Sequence, residues 1–364
     1  VEMNKAFDGR PQWSNWGGLN DVQRNQVFSP GVSPSEYGFG GLGGTTNMIM
    51  RASRFASGGR ITASGSNRSY TGRLMATYAS GEKNNGWFYA FSIGRRYASE
   101  GYMDGTPFDA NSIYLGLEKI INKEHALNFT AIYTPTLRGK SAPLTEEVVE
   151  IKGKRYNPYW GLQEGMIRNS RMKEIKEPIF MLNHFWNPSE NIQVNTNLSY
   201  QFGEVSSTRI DYGGTSFVDF DSQRTYLGGA SNPDPVYYQK LPGYFLRFEG
   251  FEDFQKAYLS ANELRNNGQL NWADIYEANA NPDALYALAA DVNQDQSLIA
   301  NSILSWQLSS SLHLITSFKA SSLKSHNFGR IEDLFGASSF LDVEVFSDFS
   351  QNDLRNPDRK VMEV

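Results

Sequence analysis

The residues best suited by type and spacing to do chemistry are Asp291, Asn293 and Asp295 in DVNQDQS, three oxygen donors at alternate positions. That spacing opens a calcium-binding loop. Gln296 stands where the sharp turn of such a loop takes glycine, and Ser302 where a bidentate glutamate would close it. A solvated acidic turn is therefore favoured over calcium. The four histidines, His125, His184, His313 and His326, are scattered, and the chain has no cysteine to supply a thiolate ligand or a disulfide. No Ser-His-Asp spacing, fixed pair of catalytic carboxylates or nucleophile elbow is evident. The expectation is a protein that binds and does not catalyse, with no cofactor unless calcium.

Binding chemistry is better represented. Tyr156, Tyr159 and Trp160 fall in one long connection, and Tyr237, Tyr238, Tyr244 and Phe245 in another. Tyr and Trp offer broad amphipathic area to sugar rings, peptides or a partner protein. Loop packing or a membrane-interface girdle would use the same residues, and both readings stand. Trp13 and Trp16 read as core packing of a small globular unit.

The elements that would position these residues repeat with period two. Trp87, Tyr89, Phe91 and Ile93 alternate with Phe88, Ala90, Ser92 and Gly94. From Ile192 to Gly203, Ile192, Val194, Thr196, Leu198, Tyr200 and Phe202 oppose Gln193, Asn195, Asn197, Ser199, Gln201 and Gly203. Strands are likewise expected over 60–66, 70–78, 113–121, 127–133, 179–186, 298–308 and 312–323, several with the ~9–11 residues a tilted strand needs to cross a bilayer. Mean hydropathy is −0.49, which would ordinarily point to a soluble chain, but barrel strands hide a lipid face behind alternate polar residues. The mildly acidic balance, a net charge of −5, argues against a nucleic-acid partner.

Connections near 81–86, 122–124, 187–191 and 309–311 are short, whereas those over 135–178 and 204–297 are long, an alternation typical of outer-membrane barrels. Within the longest, helical spacing is expected over Gly250–Arg265, over Trp272–Asn279 with Asn271 as N-cap, and over Pro282–Ala290, the helices packing on each other as an extracellular lid. Val1 opens directly into VEMNKAFDGRPQW, with neither a basic nor an apolar leader region, so the chain is expected to be mature, truncated or partial.

The stretch YGFGGLGGTTNMIMR, Tyr37 to Arg51, separates a compact N-terminal segment from these strands. No helix pattern follows its glycines, which disfavours a phosphate cradle. It resembles the end of the plug in TonB-dependent outer-membrane receptors, the matching positions being Tyr37, Gly38, Gly43, Gly44, Asn47, Ile49 and Arg51; Thr45, Thr46 and Met50 depart from the commonest pattern. ASNPDPVYYQKLPGYF is similar to a loop in one subgroup of that family. The resemblance implies an all-β fold in which residues 1–52 end a plug domain and residues 53–364 begin a transmembrane antiparallel β-barrel, about nine strands of about 22. It implies an outer-membrane receptor, embedded in lipid, that imports a large nutrient (oligosaccharide, peptide or metal chelate) with a periplasmic TonB-type partner, and that can carry a surface lipoprotein or other outer-membrane subunits. Tyr37, Gly38, Gly43, Gly44, Asn47 and Arg51 would form the plug-barrel hinge. The alternatives are an accessory barrel that scaffolds an assembly without transport, and a secreted all-β carbohydrate-active enzyme, which would need a carboxylate pair in a cleft.

Overall fold

The computed structural model describes residues 3–4, 9–33, 37, 42–213, 216–220, 223–227, 230–280, 283–343 and 351–353. The N-terminal segment holds one antiparallel hairpin, β1 (Gln26–Pro30) with β2 (Gly44–Met48). The wall follows: β3 (Gly58–Gly65), β4 (Gly72–Ala79), β5 (Trp87–Ala98), β6 (Phe108–Ile120), β7 (His125–Tyr133) and β8 (Thr136–Gly139). After α1 (Glu146–Lys152) and the small hairpin β9 (Trp160–Gln163) with β10 (Met166–Asn169), the wall resumes in β11 (Met172–Lys176), β12 (Ile179–Ser189) and β13 (Ile192–Tyr212). A second hairpin, β14 (Ser216–Phe220) with β15 (Gln223–Leu227), precedes α2 (Pro242–Leu246), α3 (Phe254–Asn267), α4 (Trp272–Ala278) and β16 (Asp283–Ala284). The wall ends with β17 (Tyr286–Gln307) and β18 (His313–Asp333), and β19 (Ser339–Val343) and β20 (Gln351–Asp353) follow.

Eleven strands form one antiparallel sheet, and they reduce to nine spanning runs because β8 continues β7 and β11 leads into β12. The two breaks fall at Thr134-Pro135 and Glu177-Pro178. Proline lacks the N–H a central strand must donate, but its carbonyl still serves the sheet: Asn111 N donates to Pro135 O (3.0 Å) and Phe202 N to Pro178 O (3.3 Å). Among the described residues the outer strands β3 and β18 each pair on one side only, so the sheet is open.

The alternation becomes two chemically distinct faces. Outward stand Leu74, Trp87, Phe91, Ile93, Leu115, Leu182 and Leu198, all exposed although apolar, as residues facing acyl chains would be. Inward stand Ala90, Ser92, Ser112, Tyr114, Glu118, Asn128 and Thr130, all buried. One inward row runs straight across neighbouring strands: Glu118 opposite Asn128, then Asn183, Asn197, Asn301 and Lys319. Asn128 Nδ2 donates to Asn183 Oδ1 (3.2 Å) and Asn183 Nδ2 to Asn197 Oδ1 (2.5 Å), so the amides link neighbouring strands along the inward face.

Several expectations need correction. The long connection expected over 204–297 is narrower, because β13 continues to Tyr212 and β17 already begins at Tyr286. The helix expected over Pro282–Ala290 is absent: β16 and the start of β17 lie there, and the apolar alternation of Tyr286, Leu288 and Ala290 continues the strand. α3 and α4 do form, capped by Asp253 (Lys256 N, 2.9 Å) and Asn271 (Ala273 N, 3.1 Å). They do not share one core. α3 buries Leu264 with Val148, Tyr156 and Leu241, whereas α4 buries Trp272 and Ile275 with Ile210, Tyr286 and Phe335. Trp13 is 63% exposed, so only Trp16 is the core residue expected of that pair.

Candidate functional site

The N-terminal segment sits against the inward face of the wall. Trp16, Leu19, Val22, Met50 and Ala52 form one buried cluster with Ala79, Ala90, Tyr114, Ile132 and Ile179 from the strands. Large and small residues alternate on both sides of this cluster, Ala79 and Ala90 on the wall and Ala52 on the segment being the small ones. Around that cluster the wall supplies polar groups aimed at the segment's backbone: Thr134 Oγ1 donates to Ser14 O (2.8 Å), Ser112 Oγ to Gly17 O (2.9 Å) and Tyr114 OH to Met50 O (2.6 Å). Gly18 has φ +83°, and a Cβ there would lie 2.1 Å from Ser112 Oγ. Glycine alone permits this approach.

Two buried carboxylates fix the segment further. Glu177 Oε2 accepts from Asn15 Nδ2 (2.7 Å). Glu118, fully buried, accepts from Arg51 and from Ser53 N (3.1 Å), while the Arg51 guanidinium lies 3.7 Å over the Phe185 ring. Burial of a carboxylate is costly unless it is paired and hydrogen-bonded, and Glu118 has both.

The hinge expected at 37–51 divides accordingly. Tyr37 lies in a turn, and Gly38 lies outside the described residues. Gly43, Gly44 and Asn47 belong to the β1–β2 hairpin, with Asn47 opposite Val27 and Gly44 opposite Pro30. β2 pairs with β1 and closes that hairpin. The passage into the wall is made by Arg51 and the short 3-10 turn Ala52–Arg54 before β3.

The expected aromatic contacts fall into two groups that do different things. Tyr156 is 2% exposed and donates through its hydroxyl to Gly268 O, and burial pushes its phenol pKa upward. Tyr159 lies 5.2 Å from the Arg171 guanidinium, and the Trp160 ring fills the space beside Gly105. Tyr156 is thus a structural residue of the loop core. Tyr237, Tyr238, Tyr244 and Phe245 instead form a continuous edge-to-face ridge, with centroids 4.9, 5.6 and 5.4 Å apart. Arg247 caps that ridge, 3.4 Å from the Tyr244 ring.

The calcium loop does not form. Asp291, Asn293 and Asp295 lie in the extended strand β17, opposite Ser207, Val205 and Gly203 on one side and Gly329, Asn327 and Ser325 on the other. Their alternate spacing is strand periodicity, and Asp291 accepts from Arg209 (3.3 Å). Among the described residues no cluster of three or more metal-type ligands occurs.

Sequence reasoning missed Ser112, Glu118, Thr134 and Glu177. The usable signal was the Pro that follows Thr134 and Glu177 within strand-like runs, which marks places where a wall strand must deform.

No protein-family model matches the chain, and no curated protein matches it. Solved structures do. The ferripyoverdine receptor of the outer membrane of Pseudomonas aeruginosa is 13% identical, with a TM-score of 0.45 over 84% of this chain and 32% of the receptor. The open form of the ferric-catecholate import receptor Fiu of E. coli K12 is 10% identical, with a TM-score of 0.48 over 90% of this chain and 43% of that one. The siderophore receptor PiuA of Acinetobacter baumannii is 10% identical, with a TM-score of 0.40 over 86% and 52%. The chain spans between about a third and a half of the length of these three receptors.

Proposed function

We propose that this chain is the end of the plug and the first part of the barrel of a TonB-dependent outer-membrane receptor that imports a large nutrient. The observation that carries the reading is the seating of a globular segment, through Asn15, Gly17, Met50 and Arg51, on the polar inner face of a sheet whose outer face is apolar. The open edges at β3 and β18 would leave unpaired backbone in lipid, so further strands complete the barrel.

In this reading the ridge of Tyr237, Tyr238, Tyr244 and Phe245 captures ligand at the cell surface. A periplasmic TonB-type partner then draws on the plug, and the contacts of Ser14–Gly17 and Arg51 with the wall are the ones that must yield. The protein acts as a receptor and not as an enzyme.

The test compares cells with and without the full-length protein for depletion of a panel of oligosaccharides, peptides and metal chelates from the medium, with and without a protonophore. Depletion of at least one compound that requires both the protein and the energised membrane is expected. No protein-dependent depletion, together with loss of other outer-membrane subunits when the protein is removed, would establish the scaffold reading instead.

A further inference from the structure

The inward face carries a second polar row, above the one that holds the asparagines. Arg138 stands opposite Phe108 on one side and Lys173 on the other, Lys173 opposite Ser207, and Ser207 opposite Asp291. Phe108 is buried on the face that also carries Ser112 and Tyr114, which fixes the row as inward. Lys140, two residues beyond Arg138 and therefore on the same face, reaches back to this row with Nζ 2.9 Å from Ser207 Oγ, and its backbone N donates to Arg171 O (2.7 Å).

Four cations therefore converge. Burial holds the Lys140 ammonium below the usual lysine pKa, and Lys173, Arg171 and Arg138 press it further down. Asp291 acts in the opposite sense but is already engaged by Arg209 at 3.3 Å. Asp234 lies near enough to feel Arg171, yet burial raises its carboxyl pKa. Among the described residues Arg138, Lys140 and Arg171 form no salt bridge.

The neighbouring outward face behaves differently. There Lys176 pairs with Glu174 (2.6 Å), and Arg330 with Glu204 and Glu332 (2.8 Å each). On the inward row Arg209 takes Asp291, and Arg138, Lys140 and Arg171 are left without a carboxylate partner among the described residues, although the chain as a whole is acidic. Beside the inward cations lies a cavity of about 720 Å³, lined in part by Arg68, Arg138, Lys140, Tyr102 and Phe108. That is the size of a ligand site.

We infer that Arg138, Lys140, Arg171 and Lys173 form an oxyanion-binding site in the outer lumen, taking a ligand that bears several clustered carboxylate or sulfate groups. The guanidinium forks match planar oxyanions, and a bound polyanion relieves the mutual repulsion of the four cations. Tyr102 and Phe108 supply an apolar side to the same cavity, which suits a ring-bearing or chelated ligand over a bare inorganic ion. The inference rests on the receptor reading for its biological meaning, but its test does not.

The experiment measures binding of four probes to the purified full-length protein in detergent at low and high salt: oligogalacturonate, a sulfated heparin oligosaccharide, ferric citrate and neutral maltotetraose. At least one anionic probe is expected to bind and to weaken steeply with salt, while maltotetraose does not bind. The identity of that probe separates an acidic glycan from a carboxylate chelate. Arg138→Gln with Lys173→Gln should weaken binding more than tenfold and flatten the salt dependence, whereas Lys176→Gln on the outward face should do neither. Arg138→Glu, whose folding is checked by heat-modifiable migration, should abolish anion binding. Absence of anion binding in the folded wild type, or a folded double variant that binds as well as wild type, overturns the site. Anion binding without energy-dependent uptake would sink the receptor reading and leave the site standing.

Discussion

Asn15 and Glu177 lie 162 residues apart in sequence and meet through a 2.7 Å hydrogen bond, donated by the amide to a carboxylate that is 2% exposed. Glu177 stands at the break between β11 and β12, immediately before Pro178, where the wall strand has already left its regular ladder. Glu177 keeps the inward alternation of Ile175 and Ile179 across this break, so its carboxylate faces the N-terminal segment. Asn15→Leu removes one donor to the buried Glu177 carboxylate, a loss of about 1–3 kcal/mol. The expected outcome is increased permeability of the outer membrane to large antibiotics at normal protein abundance. Unchanged permeability with a correctly inserted barrel would show that this contact does not seat the segment.

Arg51 and Glu118 form the stronger anchor. Arg51→Leu strands a fully buried carboxylate with one backbone donor, Ser53 N, and should destabilise by about 3–5 kcal/mol. Adding Glu118→Leu removes the stranded charge and should recover a large part of that loss. Denaturation midpoints of the single and double variants decide it. Simple additivity of the two losses would mean that Arg51 and Glu118 are not energetically coupled.

Much of the wall was legible because burial of one face and lipid contact of the other impose strict alternation. Ile192–Gly203 reads correctly from either set of residues. The far halves of β13 and β17 were harder to read, since Asp211, Asp291, Asn293 and Gln294 interrupt the apolar alternation that Tyr286, Leu288 and Ala290 begin. For the same reason DVNQDQS reads in sequence as a solvated acidic turn, whereas it is part of β17. Tyr156 and Tyr237 look alike in sequence, and only the tertiary path of Gly268 and Leu241 makes the first a core residue. The cation cluster was invisible for a related reason: Arg138 and Lys173 are brought opposite each other by strand pairing alone.

Orientation can be read by labelling. Ser310 lies in the short β17–β18 turn and Met166 in the β9–β10 hairpin, at opposite ends of the strands, and both are exposed. In intact cells an impermeant thiol reagent should label Met166→Cys and not Ser310→Cys. Labelling of Ser310→Cys alone would invert the assignment of the two sides.

The two faces make an energetic prediction at adjacent positions. Leu198 is 45% exposed and outward, while Asn197 accepts from Asn183 on the inward row. Leu198→Arg should cost about 2–4 kcal/mol if it lies near the bilayer midplane, and Asn197→Arg much less. Refolding into lipid vesicles measures both. Equal losses would remove the case for lipid contact at Leu198.

Gly43 and Gly44 provide a matched pair within the β1–β2 hairpin. Gly44 has φ +109°, and a Cβ on it would lie 2.7 Å from Ser29 O and 3.1 Å from Gly31 N, whereas nothing lies within 4 Å of a Cβ on Gly43. Those neighbours are backbone atoms, so they cannot swing aside as a side chain would. Gly44→Val therefore meets both a disfavoured dihedral and a clash, of order 1–3 kcal/mol for the backbone strain alone. Gly43→Val should be tolerated. If the hairpin helps to seat the N-terminal segment, Gly44→Val raises permeability to large antibiotics or lowers outer-membrane abundance, and Gly43→Val changes neither. A Gly44→Val protein that assembles normally, stays impermeable and loses only ligand binding would instead place these glycines in a binding site.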